Sequence, residues 1–499
     1  MMFDSAEDET PAAPTSSLLT RRRFVAVLAA LLFDGWAGTV LAAPPRFNGS
    51  AWRRELEQAA ATLEAERALA RRAGLLLTPA EMRARLAVPP DEDADPFYRA
   101  FGRLWEAAPS VDKTRRGETL NRILGGQFAP PAGPPFTNGI GKPERVTSPD
   151  RADLARALIV ECADLLAVAR QAAARPRSRV RVRWGAPTDV ALADITRHTF
   201  KRNAARLLAA DAVASGYDDR LDRAVDALRA CVQIERHVGQ EPILLGELVR
   251  SAIGEYAHKA FEQVIKSRAG QPDALETLGR LNSSLAYQPD PRELLPGELF
   301  FALGAVQSEA TLRKALVETY EFETREPDEQ KFDRRLAREP LALVRAALEA
   351  RVLAYFRTVQ DALGRAGSDL LAQRRAVEAV AERETAYPLA KAPSRRYSRD
   401  VAWWSDILVL GLARTVTRTR LRGALVAVLL DHARTGDWPN ALPGAAATLV
   451  DPFDNRPLRY RRTPNGFRVW SVGVNDKDDG GVTTRDANGA PRDLAVTYP

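Results

Sequence analysis

Histidines are the first residues to consider for catalysis or metal binding, and this chain contains only four of them. They are His198, His237, His258 and His432. None of the four lies in a metal-binding or nucleophile-activating motif. His237 and His258 fall on adjacent predicted helices with Glu235 and Glu255 nearby, and we interpret them as hydrogen-bonded structural histidines. The alternative is an enzyme whose site lies between helices, in a cleft where His237, His258 and Glu235 converge.

An acidic run near the C-terminus is the second candidate for chemistry. Its five aspartates are Asp476, Asp478, Asp479, Asp486 and Asp493. Carboxylates are the hard oxygen ligands that calcium prefers, and the glycines of this run permit the sharp turns needed to bring them together. Lys477 stands where an EF-hand would place its second carboxylate, which excludes an EF-hand. The sequence therefore predicts a calcium-binding loop, with a solvated acidic turn as the alternative.

Other recognised catalytic motifs are missing from the sequence. It contains no Gly-x-Ser-x-Gly elbow, no phosphate-binding glycine loop and no dinucleotide-binding fingerprint. Glu298 and Glu309 share one predicted helix, but they lie about 16 Å apart along its axis, too far for the carboxylate pair of a glycosidase. We therefore assign no catalytic residues and no organic cofactor, and predict that the protein is not an enzyme.

Composition and charge describe a globular protein with a mixed-sign surface. Of the 499 residues, 45% are hydrophobic and 27% are charged, which suffices for a well-buried core and for two or more domains. The 72 basic residues exceed the 65 acidic ones by seven, but many arginines alternate with acids along helices. We therefore expect no nucleic-acid partner. Cys162 and Cys231 lie in apolar helical contexts, where buried thiols are the main interpretation and a disulfide is the alternative.

Residues 1–44 predict an export signal. Arg21, Arg22 and Arg23 precede an apolar run over residues 26–43, which ends in small residues of the kind that a signal peptidase requires. The Thr-Arg-Arg-x-Phe sequence at residues 20–24 also resembles the twin-arginine motif. A single N-terminal membrane anchor is the alternative, although Asp34 interrupts the apolar run. Either interpretation places the rest of the chain outside the cytoplasm, so membrane contact is expected only through this segment.

The remaining sequence predicts a mainly α-helical protein, arranged as an irregular helical array with a small C-terminal α+β module. The regions are N-terminal helices at 45–126, a linker at 127–149, a helical domain at 150–414 and the α+β module at 415–499. Small residues line the contact between two predicted helices, residues 203–215 and 221–238, and this pair resembles one tetratricopeptide-type hairpin. A regular repeat of 34 residues is not found around it.

The C-terminal module begins with an apolar helix over residues 421–432. Gly436 and Pro439 end that helix, because glycine adopts the left-handed conformation and proline prevents resumption. Two alternating runs, residues 458–462 and 467–472, flank Asn465-Gly466, a strong signal for a β-hairpin. We therefore expect a hairpin packed against the preceding helix.

This order of elements resembles the C-terminal half of the major pseudopilin of type II secretion. The resemblance rests on Gly-Asp-Trp-Pro at 436–439, Asp-Pro-Phe-Asp-Asn at 451–455 and Trp-Ser-Val-Gly at 470–473, followed by the acidic loop. It implies a calcium loop in which Asn475 or Asp476 matches the family's loop aspartate and Asp493 matches its final aspartate. The chain lacks the prepilin cleavage site, which argues against assembly into a filament.

The whole layout also resembles an uncharacterised exported protein of planctomycete and verrucomicrobial type, through Leu-Thr-Pro at 77–79, the helical hairpin and Asp-Pro-Phe at 451–453. That resemblance implies a location and no activity. The predicted function is an extracytoplasmic helical scaffold of the cell envelope, periplasmic, exported or N-terminally anchored, which binds a protein partner and carries a calcium-stabilised C-terminal module. The alternatives are a type II secretion component and an enzyme with a site between helices.

Overall fold

A computed structural model describes residues 51–124, 148–180, 182, 184, 196–286, 290–307, 339–385, 393–484 and 493–498. The predicted export segment at residues 1–44 and the predicted calcium ligand Asp486 lie outside these ranges. The linker predicted at residues 127–149 also lies outside them, except for its last two residues, which begin a helix.

Fifteen α-helices and one small antiparallel sheet make up the described part of the chain, which confirms the mainly helical fold with a C-terminal α+β region. The helices are α1 (Ala51–Ala61), α2 (Leu63–Arg72), α3 (Pro79–Arg85), α4 (Asp95–Ala107), α5 (Ser110–Leu124), α6 (Ser148–Glu161), α7 (Ala163–Ala173), α8 (Thr196–Tyr217), α9 (Leu221–Gly239), α10 (Leu244–Ser267), α11 (Pro272–Ser284), α12 (Leu295–Gln307), α13 (Leu341–Ala366), α14 (Leu370–Thr385) and α15 (Pro393–Thr435). The strands are β1 (Arg459–Thr463), β2 (Gly466–Ser471) and β3 (Leu494–Tyr498).

Helices α8, α9 and α10 pack on one another and form the centre of the main core. Small side chains permit the close approach of α8 and α9, since Ala204, Ala205 and Ala209 are fully buried between them. Cys231 lies at this contact and donates to the carbonyl oxygen of Ala205. Cys162 and Cys231 are both buried free thiols, so the alternative of a disulfide between them is not observed.

A second core lies among α2, α12, α13 and α14. Leu299 on α12 and Val359 and Leu363 on α13 are fully buried there. The N-terminal helices also join this part of the molecule, because α1 and α2 both pack along α13. Arg67 on α2 strengthens that contact by donating from Nε to the buried carboxylate of Glu349, at 2.9 Å.

Helix α15 joins the helical array to the sheet. It is 43 residues long and packs against α10, α11 and α14 as well as against β2 and β3. The helix predicted at residues 421–432 is thus the last part of a longer helix. The domain boundary placed between residues 414 and 415 falls inside it.

The C-terminal sheet has the order β1-β2-β3, with both strand pairs antiparallel. The predicted hairpin is confirmed, with Thr463 opposite Gly466 across the turn Pro464-Asn465. Strand β3 was not predicted and pairs with the other edge of β2. The sheet is held on the end of α15 by Trp438, whose ring stacks on His432 at a centroid distance of 3.6 Å and contacts Phe467 and Tyr498.

Within the described ranges, which begin at residue 51, no helix combines the length and the apolar character needed to cross a membrane.

Candidate functional site

The four histidines lie in separate environments, and the described contacts do not bring His237 and His258 together. His237 on α9 is hydrogen-bonded through Nδ1 to the hydroxyl of Tyr98, at 2.7 Å, and through Nε2 to the carbonyl oxygen of Arg175, at 2.8 Å. The carbonyl oxygen of Arg175 can only accept, so Nε2 carries the proton and donates to it. Nδ1 of the neutral ring then accepts from the hydroxyl of Tyr98. Burial lowers the pKa of His237 to about 4, so the ring is neutral at neutral pH.

His258 lies on α10 beside the arginines of α15. Burial lowers its pKa to about 3, and the charge of Arg422 contributes to the shift. Its Nδ1 atom is buried and makes no hydrogen bond with any residue in the described ranges. His198 contacts the carboxylate of Glu241, which also accepts from Lys201 Nζ at 2.6 Å. These hydrogen bonds agree with the interpretation of the histidines as structural residues.

In the described part of the acidic run, the carboxylates accept hydrogen bonds from several side chains and backbone amides. Arg374 on α14 donates to both oxygens of Asp476, at 3.0 and 2.9 Å. Trp470 Nε1 donates to Asp478 at 2.8 Å, and Asn475 Nδ2 donates to Asp479 at 2.8 Å. The backbone amides of Asp479 and Gly481 donate to the two oxygens of Asp493. The carboxylates of the loop thus accept hydrogen bonds from the loop itself and from α14 and β2.

The calcium prediction can be examined against this geometry. Among the described residues, no three His, Cys, Asp or Glu side chains are grouped closely enough to hold a metal ion. Burial raises the pKa of Asp493, and the neighbouring charges of Asp479 and Asp478 raise it further. Arg374, Trp470 and Asn475 donate to oxygens of Asp476, Asp478 and Asp479, so an ion bound there would replace these hydrogen bonds. Asp486, the sixth predicted ligand, lies outside the described residues, so calcium binding stays a prediction.

Basic side chains gather instead in a cavity between α9, α10 and α15, closed on one side by the short 3₁₀ turn Pro291–Glu293. The cavity has a volume of about 360 Å³, within the range of small-molecule sites. Four arginines line it: Arg236, Arg250, Arg418 and Arg422. Two glutamates line it as well, Glu235 and Glu293. Of the residues predicted to converge in a cleft, Glu235 reaches this cavity, whereas His237 and His258 are not among its lining residues.

Arg250 is the structural centre of the cavity wall. It is 2% exposed and donates from Nη1 to Glu235 at 2.9 Å and from Nε to Glu247 at 2.6 Å. Its Nη2 atom also donates to Thr415 on α15, at 3.2 Å. The network therefore ties three helices together through one buried guanidinium, in the geometry that compensates for lost hydration.

Glycines make room for this network. A Cβ atom on Gly239 would lie 2.8 Å from Cδ of Arg250, and one on Gly254 would lie 3.0 Å from the carboxylate of Glu235. Glycine within a helix costs about 1 kcal/mol relative to alanine, so each of these positions gives up helix stability for the space that the ionic groups occupy.

Glu298, a buried carboxyl outside the cavity, makes the stability of the protein depend on pH. Glu298 on α12 accepts from the backbone amide of Leu244 at the start of α10, and burial raises its pKa to about 8. The folded protein thus retains a proton that the unfolded chain releases near pH 4.5, and the free energy of unfolding falls by about 5 kcal/mol in total as the pH rises from below 4.5 to above 8.

Glu298→Gln should remove this loss, because a glutamine retains an oxygen that accepts from Leu244 and carries no charge. We expect the variant to unfold at higher urea concentration than the wild type at pH 8.5, and at a similar concentration at pH 5. Glu118→Gln, at an exposed position on α5, should leave the pH profile of the wild type unchanged. A Glu298→Gln profile parallel to that of the wild type would contradict the assignment.

The chain matches no protein-family model, no curated protein and no solved structure.

Proposed function

We propose that the protein is a non-enzymatic helical scaffold of the cell envelope that binds a protein partner. The proposal places the chain outside the cytoplasm because of residues 1–44, which carry basic, apolar and small residues in the order of an export signal. It further likens the α8–α9 pair to a tetratricopeptide-type hairpin and the C-terminal module to a pseudopilin domain. The close packing of α8 on α9 and the order helix, hairpin and acidic loop support these likenesses.

The observation that carries the partner is a set of exposed apolar side chains on α4, α5 and α6. Among the described residues, three of the most exposed large hydrophobic side chains are Leu104 on α4, Val111 on α5 and Val160 on α6, at 42%, 73% and 78% exposure. Helices α5 and α6 pack on each other, and Arg116 on α5 bonds to Glu161 beside Val160 at 2.8 Å. Contiguous exposed apolar patches mark protein-binding sites, and we propose that Val111 and Val160, which lie on packed helices, belong to one such patch.

Cross-linking in envelope fractions of the source cells tests this proposal. The variant Val111→Asp with Val160→Lys places an acid at the start of α5 and a base at the end of α6, where the helix dipole favours each charge. We expect the wild-type protein in the envelope fraction with a cross-linked partner, and a loss of at least five-fold in cross-linking for the double variant. Ala447→Lys, exposed on the C-terminal module, should cross-link like the wild type. Recovery of the protein in the cytoplasm, or equal cross-linking by the double variant, would overturn the proposal.

The calcium part of the proposal has its own test. If calcium binds the loop of Asp476, Asp478, Asp479 and Asp493, the full chain should unfold at a higher temperature in calcium than in a chelator. Asp493→Asn should abolish this difference, and Asp112→Asn, on the surface of α5, should leave it intact. An identical melting temperature in calcium and in chelator would end the idea and leave the scaffold proposal standing.

A further inference from the structure

Four arginines and two glutamates line the cavity between α9, α10 and α15, and two of the arginines make no ion pair in the described ranges. Arg250 is neutralised by Glu235 and Glu247. Arg418 is neutralised by Glu255, and its Nη1 atom donates to the carbonyl oxygen of Ser251, at 3.1 Å. Although burial opposes the ionisation of Glu255, Arg418 and Lys259 lower its pKa to about 2, so the carboxylate is charged. Two lining arginines remain, Arg422 and Arg236.

Arg422 is a buried guanidinium held by neutral groups. It is 6% exposed, and its Nε and Nη2 atoms donate to Asn282 Oδ1 at 2.8 Å and to Thr419 Oγ1 at 3.1 Å. Its guanidinium carbon lies 4.7 Å from the centroid of the Phe261 ring. The Nη1 atom makes no hydrogen bond with any residue that the structure describes. Burial lowers the pKa of Arg422 to about 10, which still leaves the side chain charged at neutral pH.

Arg236 stands on the cavity wall contributed by α9 and is partly exposed. It forms no ion pair with a carboxylate in the described ranges. Arg418 is held in place by the salt bridge to Glu255, so the basic wall is largely fixed before any ligand arrives. Fixed guanidinium groups with free N–H donors are the arrangement that recognises carboxylate and phosphate oxygens.

The remaining lining limits what such a ligand can be. Glu293 is exposed at the 3₁₀ turn and Glu235 is bonded to Arg250, so a long polyanion would meet negative charge. Leu285 and Val232 supply apolar wall beside the arginines. A volume of about 360 Å³ lies at the lower end of the range for small-molecule pockets. The chemistry is that of a small molecule with one anionic group and a compact, partly apolar body.

We propose that this cavity binds a small organic anion, with its carboxylate or phosphate group at Arg422 and Arg236. A site of this kind goes beyond the scaffold function, since it gives the helical array a soluble ligand. The inference does not depend on the apolar surface of α4–α6, and either can fail without the other.

Calorimetric titration of the full-length protein at low salt tests the site with two probes, inorganic phosphate and the monocarboxylate butyrate. We expect at least one probe to bind, with affinity falling as sodium chloride is added. The probe that binds more tightly identifies the group that the arginines select. Glycerol, which is small and uncharged, should give no heat of binding.

Two variants locate the binding. Arg422→Gln and Arg236→Gln should each weaken the bound probe by at least ten-fold, whereas Arg229→Gln, an exposed position elsewhere on α9, should bind like the wild type. Because Arg422 is buried, its variant is checked by circular dichroism, and the partly exposed Arg236 supplies the result if Arg422→Gln does not fold. Failure of both probes to bind, or unchanged affinity in Arg236→Gln, would overturn the proposal.

Discussion

Replacing Asp451 with alanine should destabilise the C-terminal module more than any exposed substitution there. Asp451 is fully buried, and its carboxylate accepts from the amide of Val472 at 2.9 Å, from Ser471 Oγ at 2.8 Å and from Arg459 Nη1 at 2.7 Å. Alanine would leave the amides of Val472 and Phe453 and the hydroxyl of Ser471 with no acceptor, whereas Arg459 would keep its bond to Asp454. We expect a cost of about 3–5 kcal/mol in the free energy of unfolding. Urea denaturation followed by circular dichroism and tryptophan fluorescence measures the loss.

Two further substitutions separate the carboxylate from its neighbours. Asp451→Asn retains one acceptor and introduces a donor facing other donors, so a smaller loss of about 2 kcal/mol is expected. Asp454→Asn should cost less still, because Asp454 is partly exposed and Arg459 retains its bond to Asp451. An Asp451→Ala protein that unfolds at the same urea concentration as the wild type would refute this role.

Removing Arg250 should have an effect of similar size on the helical array. Arg250→Met leaves Glu235 and Glu247 buried without their cation, and breaking a buried ion pair in this way costs about 3–5 kcal/mol. The carboxylates escape part of that cost by protonation, and burial already raises the pKa of Glu247 in the intact protein. The loss should therefore be larger at pH 8 than at pH 5, because deprotonation of buried acids destabilises the variant as the pH rises.

A combined variant tests the physical explanation. Arg250→Met with Glu235→Gln and Glu247→Gln removes all three charges and should recover most of the stability that Arg250→Met loses. Urea midpoints of the wild type, the single variant and the triple variant at both pH values measure the recovery. If the triple variant is less stable than the single variant at pH 8, the loss comes from packing and not from uncompensated charge.

Several helices could be predicted from the sequence because local signals agree with the tertiary structure. Helix α9 was expected over residues 222–238 and extends over Leu221–Gly239, since its apolar stripe faces α8 and α10. The capping box at the start of α3 is also present, with Thr78 Oγ1 accepting from the amide of Glu81 at 3.2 Å. The hairpin was predicted from Asn465-Gly466, but its turn is Pro464-Asn465, and neither Asn465 nor Gly466 has a positive φ.

Two features of the C-terminal region were missed for different reasons. Strand β3 alternates in apolar character at Leu494, Val496 and Tyr498, but its partner β2 was already paired in the expected hairpin and the segment follows an acidic loop. The continuity of α15 was missed because five of the six residues 415–420 are polar and three of those five are threonines, which are weak helix formers. Thr415 and Thr417 are buried in the fold, and Thr415 accepts from Arg250, so tertiary contacts stabilise this turn.

The candidate site was hidden from the sequence by the distances along the chain. Arg236 and Arg250 belong to α9 and α10, and Arg418 and Arg422 come from α15, so only the last two show a helical spacing. Arginines that alternate with acidic residues along the helices predicted a solvated surface of mixed charge. Burial of Arg250 and Arg422 depends on how three helices meet, which no local pattern specifies. The alternative in which His237 and His258 converge in one cleft also depended on helix packing. Adjacency of two helices in the sequence does not determine which of their faces point at each other.

The length of α15 has a consequence for how the protein can be divided. A cut at residue 415 would separate Thr415 from Gly411, to which it donates, and would strip α10 and α14 of part of the helix that covers them. The sheet would keep its hairpin but lose the first turns of its support. A fragment that contains the sheet therefore needs α15 as well, because the same helix packs on β2, β3, α10 and α14.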